Sequence, residues 1–371
     1  MLSAFQTVLQ SYYAPTALLI LFSGFLVTDQ ILSHREKQLF FLEMFVVVAL
    51  LVTTWIDIRA TTVTEGDVFW RIRAMASTLQ FVLAPLSPML LCLICHPKHR
   101  VEPMALFCLP AAISILLTFT SLWTGLVTHV SPANVYNRGP LFFVPFLASG
   151  IYLTCTVYFL SHNNAPGRRM ETKAMIGIII TMIVGIVCET AMRLHCIIWS
   201  TTTACLILLF FVMTMNKVMY DPLTGAYSRL AYQKRLEGIQ RGQHATLAFV
   251  DINELKTIND TYGHSAGDQA IAQVSKALLA IHLHSLKLYR YGGDEFVFVG
   301  DGHIASRLET ELERALKKCG TVGTISLSFA YGIKEYLGGD LYALLEEMDQ
   351  EMYQKKQLMK QLNPASIEGN P

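Results

Sequence analysis

The chain has 371 residues, 53% of them hydrophobic and 15% charged, with a formal net charge of +1 at pH 7. Soluble domains carry about a quarter charged residues, so this composition excludes an ordinary soluble protein along the whole length. The near-neutral balance also excludes a nucleic-acid partner held by bulk electrostatics. Charge is unevenly spread: 12 of the 29 Lys/Arg and 9 of the 28 Asp/Glu precede residue 217. Residues 1–216 therefore read as membrane, and residues 217–371 as one soluble domain with its own core.

Seven apolar stretches are long enough to cross a bilayer, which takes about 20 helical residues. They lie near 14–33, 38–57, 75–95, 104–125, 140–161, 174–193 and 196–216, and predict an all-α seven-helix transmembrane bundle. The first lacks the basic start and small-residue cleavage site of a signal peptide, and Asp29-Gln30 close it. Arg35, Lys37, Lys98, Arg100, Arg168, Arg169, Lys173 and Lys217 fall in one set of loops, and the sparser Arg59, Arg71, Arg73, Arg138 and Arg193 in the other. The positive-inside rule then puts the N-terminus outside and everything after Lys217 in the cytoplasm of a cell bounded by this inner membrane.

A charge within a span is costly and points to function. Asp29 on the first span and Glu43 on the second are expected to share a polar cluster. Glu189 has Arg193 one turn on, the spacing of an ion pair. With Trp55, Asp57 and Trp199 at similar depth, these two are candidates to line an outward-facing sensor pocket for a small molecule or lipid, set against a structural ion pair within an aromatic belt. Cys92-Leu93-Ile94-Cys95-His96 matches a haem-attachment pattern, but its expected cytoplasmic position favours two packing cysteines and an interfacial histidine. Tyr136-Asn137-Arg138-Gly139-Pro140-Leu141-Phe142-Phe143, entering the fifth span, is similar to the seven-span N-terminal sensor region of some histidine kinases.

Beyond Asp221 the periodicity changes. Ala245–Asp251 is a short, partly β-branched apolar run and predicts a buried strand. A helix over 267–280 follows, then strands 286–291 and 295–300 joined by a Gly-Gly turn, a helix over 304–318, a strand over 321–333 and a helix over 341–362. The order resembles a β-α-β-β-α-β ferredoxin-like α+β palm. In such a palm, Asp251 at a strand end and Asp294-Glu295 at the hairpin converge. Carboxylates without nearby cysteine or histidine suit Mg²⁺ or Mn²⁺, Gly292-Gly293 admit close approach of a ligand, and Lys256 is near enough in sequence to meet the same phosphates. A two-metal site of this kind performs phosphoryl or nucleotidyl transfer.

Four motifs in order make the pattern specific. Asp221-Pro222-Leu223-Thr224-Gly225 with Arg229, Asp251-Ile252-Asn253-Glu254-Leu255-Lys256 with Asn259-Asp260, Gly263-His264 with Gly267-Asp268, and Arg290-Tyr291-Gly292-Gly293-Asp294-Glu295-Phe296 together resemble a GGDEF diguanylate cyclase domain over residues 221–360. The resemblance implies the nucleotidyl cyclase fold and condensation of two GTP into cyclic di-GMP by a homodimer, with two Mg²⁺ or Mn²⁺ per site. It implies Asp251, the Ile252 carbonyl and Asp294 as metal ligands, and Asp294 or Glu295 as acceptor of the attacking hydroxyl's proton. Asn259 and Asp268 would read the guanine edge, and Lys256, Lys356 and Lys360 would hold phosphates.

Three positions depart from the family pattern. Leu283 and Leu286 stand where a product-inhibition R-x-x-D is expected, Asn253 and Leu255 replace Asp and Phe, and no G-R-N follows the last helix. The alternatives are a GTP-binding but catalytically silent regulatory module, and a cyclase making a hybrid purine dinucleotide. Intact metal acids argue against the first, and Asp268 as guanine reader against the second. The membrane half is expected to regulate the cyclase, or else to act as anchor and dimeriser.

Overall fold

Apolar backbone inside a bilayer must satisfy its own hydrogen bonds, so long apolar runs resolve into helices. The computed structural model describes residues 2–62, 67–96, 103–162, 168–192, 197–239 and 244–362. It divides into two units, Met1–Thr214 and Met215–Pro371. The first holds α1 (Leu2–Thr28), α2 (His34–Thr62), α3 (Asp67–Leu83), α4 (Leu86–Cys95), α5 (Met104–Thr124), the strands β1 (Thr128–Val130) and β2 (Tyr136–Arg138), α6 (Val144–Ser161), α7 (Arg168–Met192) and most of α8 (Ile197–Met219).

Six helical segments among the described residues are long and apolar enough to cross a membrane: His34–Thr61, Val68–Cys95, Met104–Thr124, Val144–Ser161, Glu171–Glu189 and Ile197–Met219. Val68–Cys95 takes in α3 and α4 across a bend at Ala84-Pro85, where proline has no N–H to donate. The apolar part of α1, Tyr12–Thr28, is shorter than these six. The expected first span, 14–33, therefore overruns its helix. Asp29 lies past the end of α1, where its carboxylate accepts from the N–H groups of Ile31 (3.2 Å) and Leu32 (2.8 Å), as a turn aspartate does.

Helix α2 then starts on a reciprocal cap. The Ser33 N–H donates to Glu36 at 2.7 Å and the Glu36 N–H to Ser33 Oγ at 3.4 Å, the S-x-x-E box that ties up two orphan donors. Asp29 and Glu43 do not share a cluster: Asp29 faces Lys37 at 3.8 Å, whereas Glu43 is fully buried and accepts from Ser87 Oγ. Phe22, Phe40 and Phe210 pack edge to face with centroids 5.3–6.0 Å apart, joining α1, α2 and α8. Such contacts add roughly 0.5–1.5 kcal/mol each beyond area burial. Cys92 and Cys95 are buried, and the His96 ring lies edge-on to Phe159 at 4.7 Å, the packing arrangement rather than an accessible haem-attachment site.

The second unit contains α9 (Arg229–Glu237), β3 (Ala245–Ile252), α10 (Leu255–Tyr262), α11 (His264–Leu279), β4 (Lys287–Arg290), β5 (Glu295–Asp301), α12 (Ala305–Leu316), β6 (Thr321–Val322), β7 (Ile325–Ser326), β8 (Phe329–Tyr336) and α13 (Leu341–Leu362). The main sheet has the order β4-β5-β3-β8 with every neighbour antiparallel. That is the α+β ferredoxin-like arrangement expected of this half. Central β3 is buried along its whole length because both faces are covered. Ala248, Val250 and Ile252 face Ile271, Val274, Leu308 and Leu312 of α11 and α12, while Leu247 and Phe249 face Tyr232 of α9 and Met348 and Met352 of α13.

Two expectations change here. The strand over 321–333 is a tight hairpin, β6–β7, turned at Gly323 with φ +57°, followed by β8. Helix α9, absent from the periodicity, starts where Ser228 Oγ accepts from the Ala231 N–H at 3.3 Å, a serine N-cap.

Candidate active site

Strand register places Asp251, Asp294 and Glu295 at one end of the sheet. Asp251 lies opposite Glu295 in the antiparallel β3–β5 ladder, where paired Cα atoms stand about 4.5–5.5 Å apart. One residue on, the Ile252 N–H donates to the Asp294 carbonyl at 3.1 Å. Asp251 is buried, and Asp294 and Glu295 are half-buried. The chain leaves β3 through Glu254 in the left-handed region, φ +57°. Asn253 anchors this turn, donating from its N–H to the Ser328 carbonyl (2.9 Å) and from Nδ2 to Ser328 Oγ (3.0 Å). The substituted Asn253 thus fastens the strand end to the segment entering β8.

The Gly292-Gly293 turn is organised by Arg290. Its Nε donates to the carbonyls of Gly292 and Gly293, both at 3.2 Å, and its Nη2 to Gly293 at 2.8 Å. The Nη1 group completes an ion pair with Asp221 at 2.9 Å. The same Asp221 oxygen accepts from the Thr224 N–H (2.9 Å) and Oγ1 (2.7 Å). Burial pushes the Asp221 carboxyl up, but the Thr224 hydrogen bonds and Arg290 outweigh it and hold the group below its ordinary value. Motif spelling named both residues without assigning this link, which spans 69 positions of sequence.

Glycine has two different meanings in the turn. A Cβ on Gly292 would stand 2.6 Å from Glu295 Oε2, so the carboxylate lies over that residue; a Cβ on Gly293 would meet no protein atom within 4 Å. Asn259 on α10 and Asp268 on α11 are brought close through Gly267, where a Cβ would fall 2.0 Å from Asn259 Oδ1. Asn259 is half-buried and Asp268 exposed, as is Lys256 in the first turn of α10. Lys356 and Lys360 fall on α13, and their side chains lie outside the described residues.

No group of three or more His, Cys, Asp or Glu side chains among the described residues is already arranged around a metal position. Mg²⁺ commonly takes only one or two carboxylates and completes its shell with phosphate oxygens and water. A buried Asp251 beside Asp294, with the Ile252 carbonyl and no soft donor, fits that requirement.

Three of the four sensor candidates, Glu189, Asp57 and Trp55, lie among the described residues, each with its own partner. Glu189 accepts from the Ile198 N–H at 2.9 Å and so caps the first turn of α8. Arg193 lies outside the described residues. Asp57 pairs with Arg73 Nε at 3.2 Å, and Arg73 Nη1 donates to the Asn134 carbonyl at 2.5 Å, tying α2 and α3 to the β1–β2 loop. Trp55 is 43% exposed with the Arg59 guanidinium 5.8 Å from its ring. Both line an apolar groove of about 770 Å³ between α1 and α2, together with Tyr12, Leu19, Met44 and Val52.

This unit is an antiparallel α+β palm with Asp251, Asp294 and Glu295 at one sheet end and a glycine turn beside them. Residues 218–361 match the family described as diguanylate cyclase, GGDEF domain. The chain is 33% identical over 153 residues to the diguanylate cyclase VdcA of Vibrio cholerae, covering 38% of this chain and 44% of that protein. It is 33% identical over 120 residues to the probable diguanylate cyclase DgcI of Escherichia coli, covering 32% and 26%. The chain thus spans less than half the length of these relatives. Among solved structures, the GGDEF domain of DgcB from Caulobacter crescentus in complex with c-di-GMP matches with 27% identity and a TM-score of 0.34, covering 38% of this chain and 90% of that one.

Proposed function

We propose that the protein is a membrane-bound diguanylate cyclase: residues 217–371 condense two GTP into cyclic di-GMP and two pyrophosphates, and residues 1–216 form a seven-span sensor that regulates them. The observation that carries the reading is the register of Asp251 against Glu295, with Asp294 at a turn held by Arg290.

Asp251, the Ile252 carbonyl and Asp294 would hold two Mg²⁺ or Mn²⁺ ions, whose chemistry would be charge neutralisation at the triphosphate and a lowered pKa for the attacking hydroxyl. Asn259 and Asp268 orient guanine through its N1–H and amino group. Lys256, Lys356 and Lys360 hold phosphates, and Gly293 leaves backbone open to the substrate. Two domains meet face to face. Each ribose 3′-oxygen forms a bond to the partner nucleotide's α-phosphorus while the bond to pyrophosphate breaks. Glu295 or Asp294 takes the hydroxyl proton and passes it to solvent.

Six spans plus the shorter α1 give seven, with the N-terminus outside and the GGDEF domain cytoplasmic at the inner membrane. Turnover of GTP by full-length protein in lipid nanodiscs with Mg²⁺, with products identified by mass, tests the reading. Cyclic di-GMP from the wild type and none from Asp294→Ala is expected. GTP binding without dinucleotide, even in a forced dimer of residues 217–371, would reject it in favour of a silent GTP-reading module.

A further inference from the structure

The chain enters the GGDEF domain through a loop that folds back on itself. The Ser228 N–H donates to the Met219 carbonyl at 2.9 Å, Ser228 Oγ to the Val218 carbonyl at 2.7 Å, and the Asp221 N–H to the Ala226 carbonyl at 2.8 Å. The returning arm then extends the edge of the sheet. Tyr227 donates its N–H to the Leu288 carbonyl at 2.9 Å and accepts from the Arg290 N–H at 2.8 Å. Its ring stacks on Tyr220, centroids 4.7 Å apart and 28° between planes, with the two hydroxyls 3.3 Å apart. It also lies 5.3 Å from Tyr289, and the Lys287 ammonium stands 5.4 Å from its centroid.

We propose that Tyr227 is a positioning residue for the cyclase site, a clasp through which the entering segment Val218–Tyr220 sets Arg290 and the Gly292-Gly293 turn. The assignment of a cyclase site rests on the function proposed above. Strand β4 is the edge of its sheet and only four residues long, so one side of it has no strand to hold it in place. Tyr227 supplies two backbone bonds to that side. Those bonds hold only while the ring is pinned between Tyr220 and Tyr289. Arg290, whose N–H is one of the two bonds, uses its guanidinium to hold the carbonyls of both signature glycines and the Asp221 carboxylate. A shift of Val218–Tyr220 must either break the loop's own hydrogen bonds or carry Tyr227, and with it Arg290, along. The entry loop also meets α11, where Ser275 Oγ donates to the Thr224 carbonyl at 3.4 Å, but both backbone bonds of Tyr227 go to β4, so its action falls first on the placement of Asp294 and Glu295 rather than on the guanine-reading residues of α10 and α11.

The test uses full-length protein in nanodiscs carrying Tyr227→Ala, Tyr227→Phe or Tyr220→Ala. Two readouts are taken: hydrogen exchange without nucleotide, and the kinetics of GTP turnover. For Tyr227→Ala we expect faster exchange at 288–294 with 255–279 unchanged, and kcat lower by about tenfold or more, the scale of a misplaced reacting group, at nearly constant KM. Tyr227→Phe keeps the stack and should restore both. Wild-type exchange at 288–294 in Tyr227→Ala, or a rise spread equally over 255–279, would overturn the proposal. If Tyr227→Ala does not fold, Tyr220→Ala decides by the same pattern at smaller amplitude. A wild type that makes no cyclic dinucleotide would sink the cyclase reading, while exchange at 288–294 would still decide for or against the clasp.

Discussion

Gly267 offers a substitution in which stability and substrate affinity should separate. A Cβ there would fall 2.0 Å from Asn259 Oδ1 and 2.9 Å from its Cγ. Restoring ordinary contact needs a retreat of roughly 1.5 Å, more than a hydrogen bond to guanine tolerates. Losing one or two such bonds costs about 1–2 kcal/mol, which is roughly a 5–30-fold rise in KM for GTP. Opposing terms act on folding: alanine in a helix interior gains about 0.8–1 kcal/mol over glycine, while forcing Asn259 off its rotamer costs about 0.5–1.5 kcal/mol. Gly267→Ala should therefore leave the thermal midpoint nearly unchanged while KM rises and kcat holds. The control is a cycle with Asn259→Ala. Once the amide is gone, adding Gly267→Ala should change KM no further, because both substitutions act through one group. A full additive penalty in the double variant, or a wild-type KM in Gly267→Ala, would refute the argument.

The two signature glycines should respond differently to alanine: Gly292→Ala displaces the Glu295 carboxylate and lowers kcat, whereas Gly293→Ala leaves the fold intact and weakens GTP binding. Equal effects on kcat and KM at both positions would contradict the contacts that separate them. The Asp221 carboxyl is held below its ordinary value, so its contribution to stability is complete above the unfolded pKa of about 3.9 and is lost as pH falls through the lower folded value. The deficit of Asp221→Asn in unfolding midpoint should accordingly be full at pH 6 and smaller at pH 3; a constant deficit would reject the ion-pair account. Leu283 and Leu286 pack against the core where the resemblance would put a charged product-binding pair, so under the proposed function added cyclic di-GMP should leave the initial rate unchanged in a turnover assay. Inhibition relieved by no change at these two positions would place a product site elsewhere.

Where sequence carried a strong period, it also carried the element. The apolar run at 245–251 became β3 and the amphipathic run at 341–362 became α13 because each has one dominant packing requirement. Helix α9 escaped notice because only Ala231 and Tyr232 of its nine residues are buried, too few to show a period. The run 321–333 looked like one strand because Val322, Ile325 and Phe329 are all apolar; the turn at Gly323 divides it. The placement of Asp251 and Asp294-Glu295 at one sheet end was legible because register is local to a hairpin and its neighbour. Arg290's grip on Asp221 was not, since nothing in either motif says which way the guanidinium turns.

The N-terminal unit shows why hydropathy finds apolar helices better than it finds sites. Apolarity is a sum over a helix and survives errors of several residues at each end, so six of the seven expected stretches coincide with described helical segments long and apolar enough to cross a membrane, even across the bend at Ala84-Pro85. A charge in or near a span is a question about partners, and partners depend on which helices adjoin. Asp57 was a candidate for an outward pocket until α3 placed Arg73 beside it. Glu189 was a candidate for pairing along its own helix, yet its carboxylate meets the Ile198 N–H of the next one, where a carboxylate at a helix start is stabilised by the unpaired amides and the helix dipole. Each of these acids is accounted for by a bond that fixes one element to another, and none needs a ligand to be satisfied. Trp55 differs: its ring stays exposed beside Arg59 along the groove between α1 and α2. Among the described sensor candidates, Trp55 keeps the accessibility that ligand contact requires.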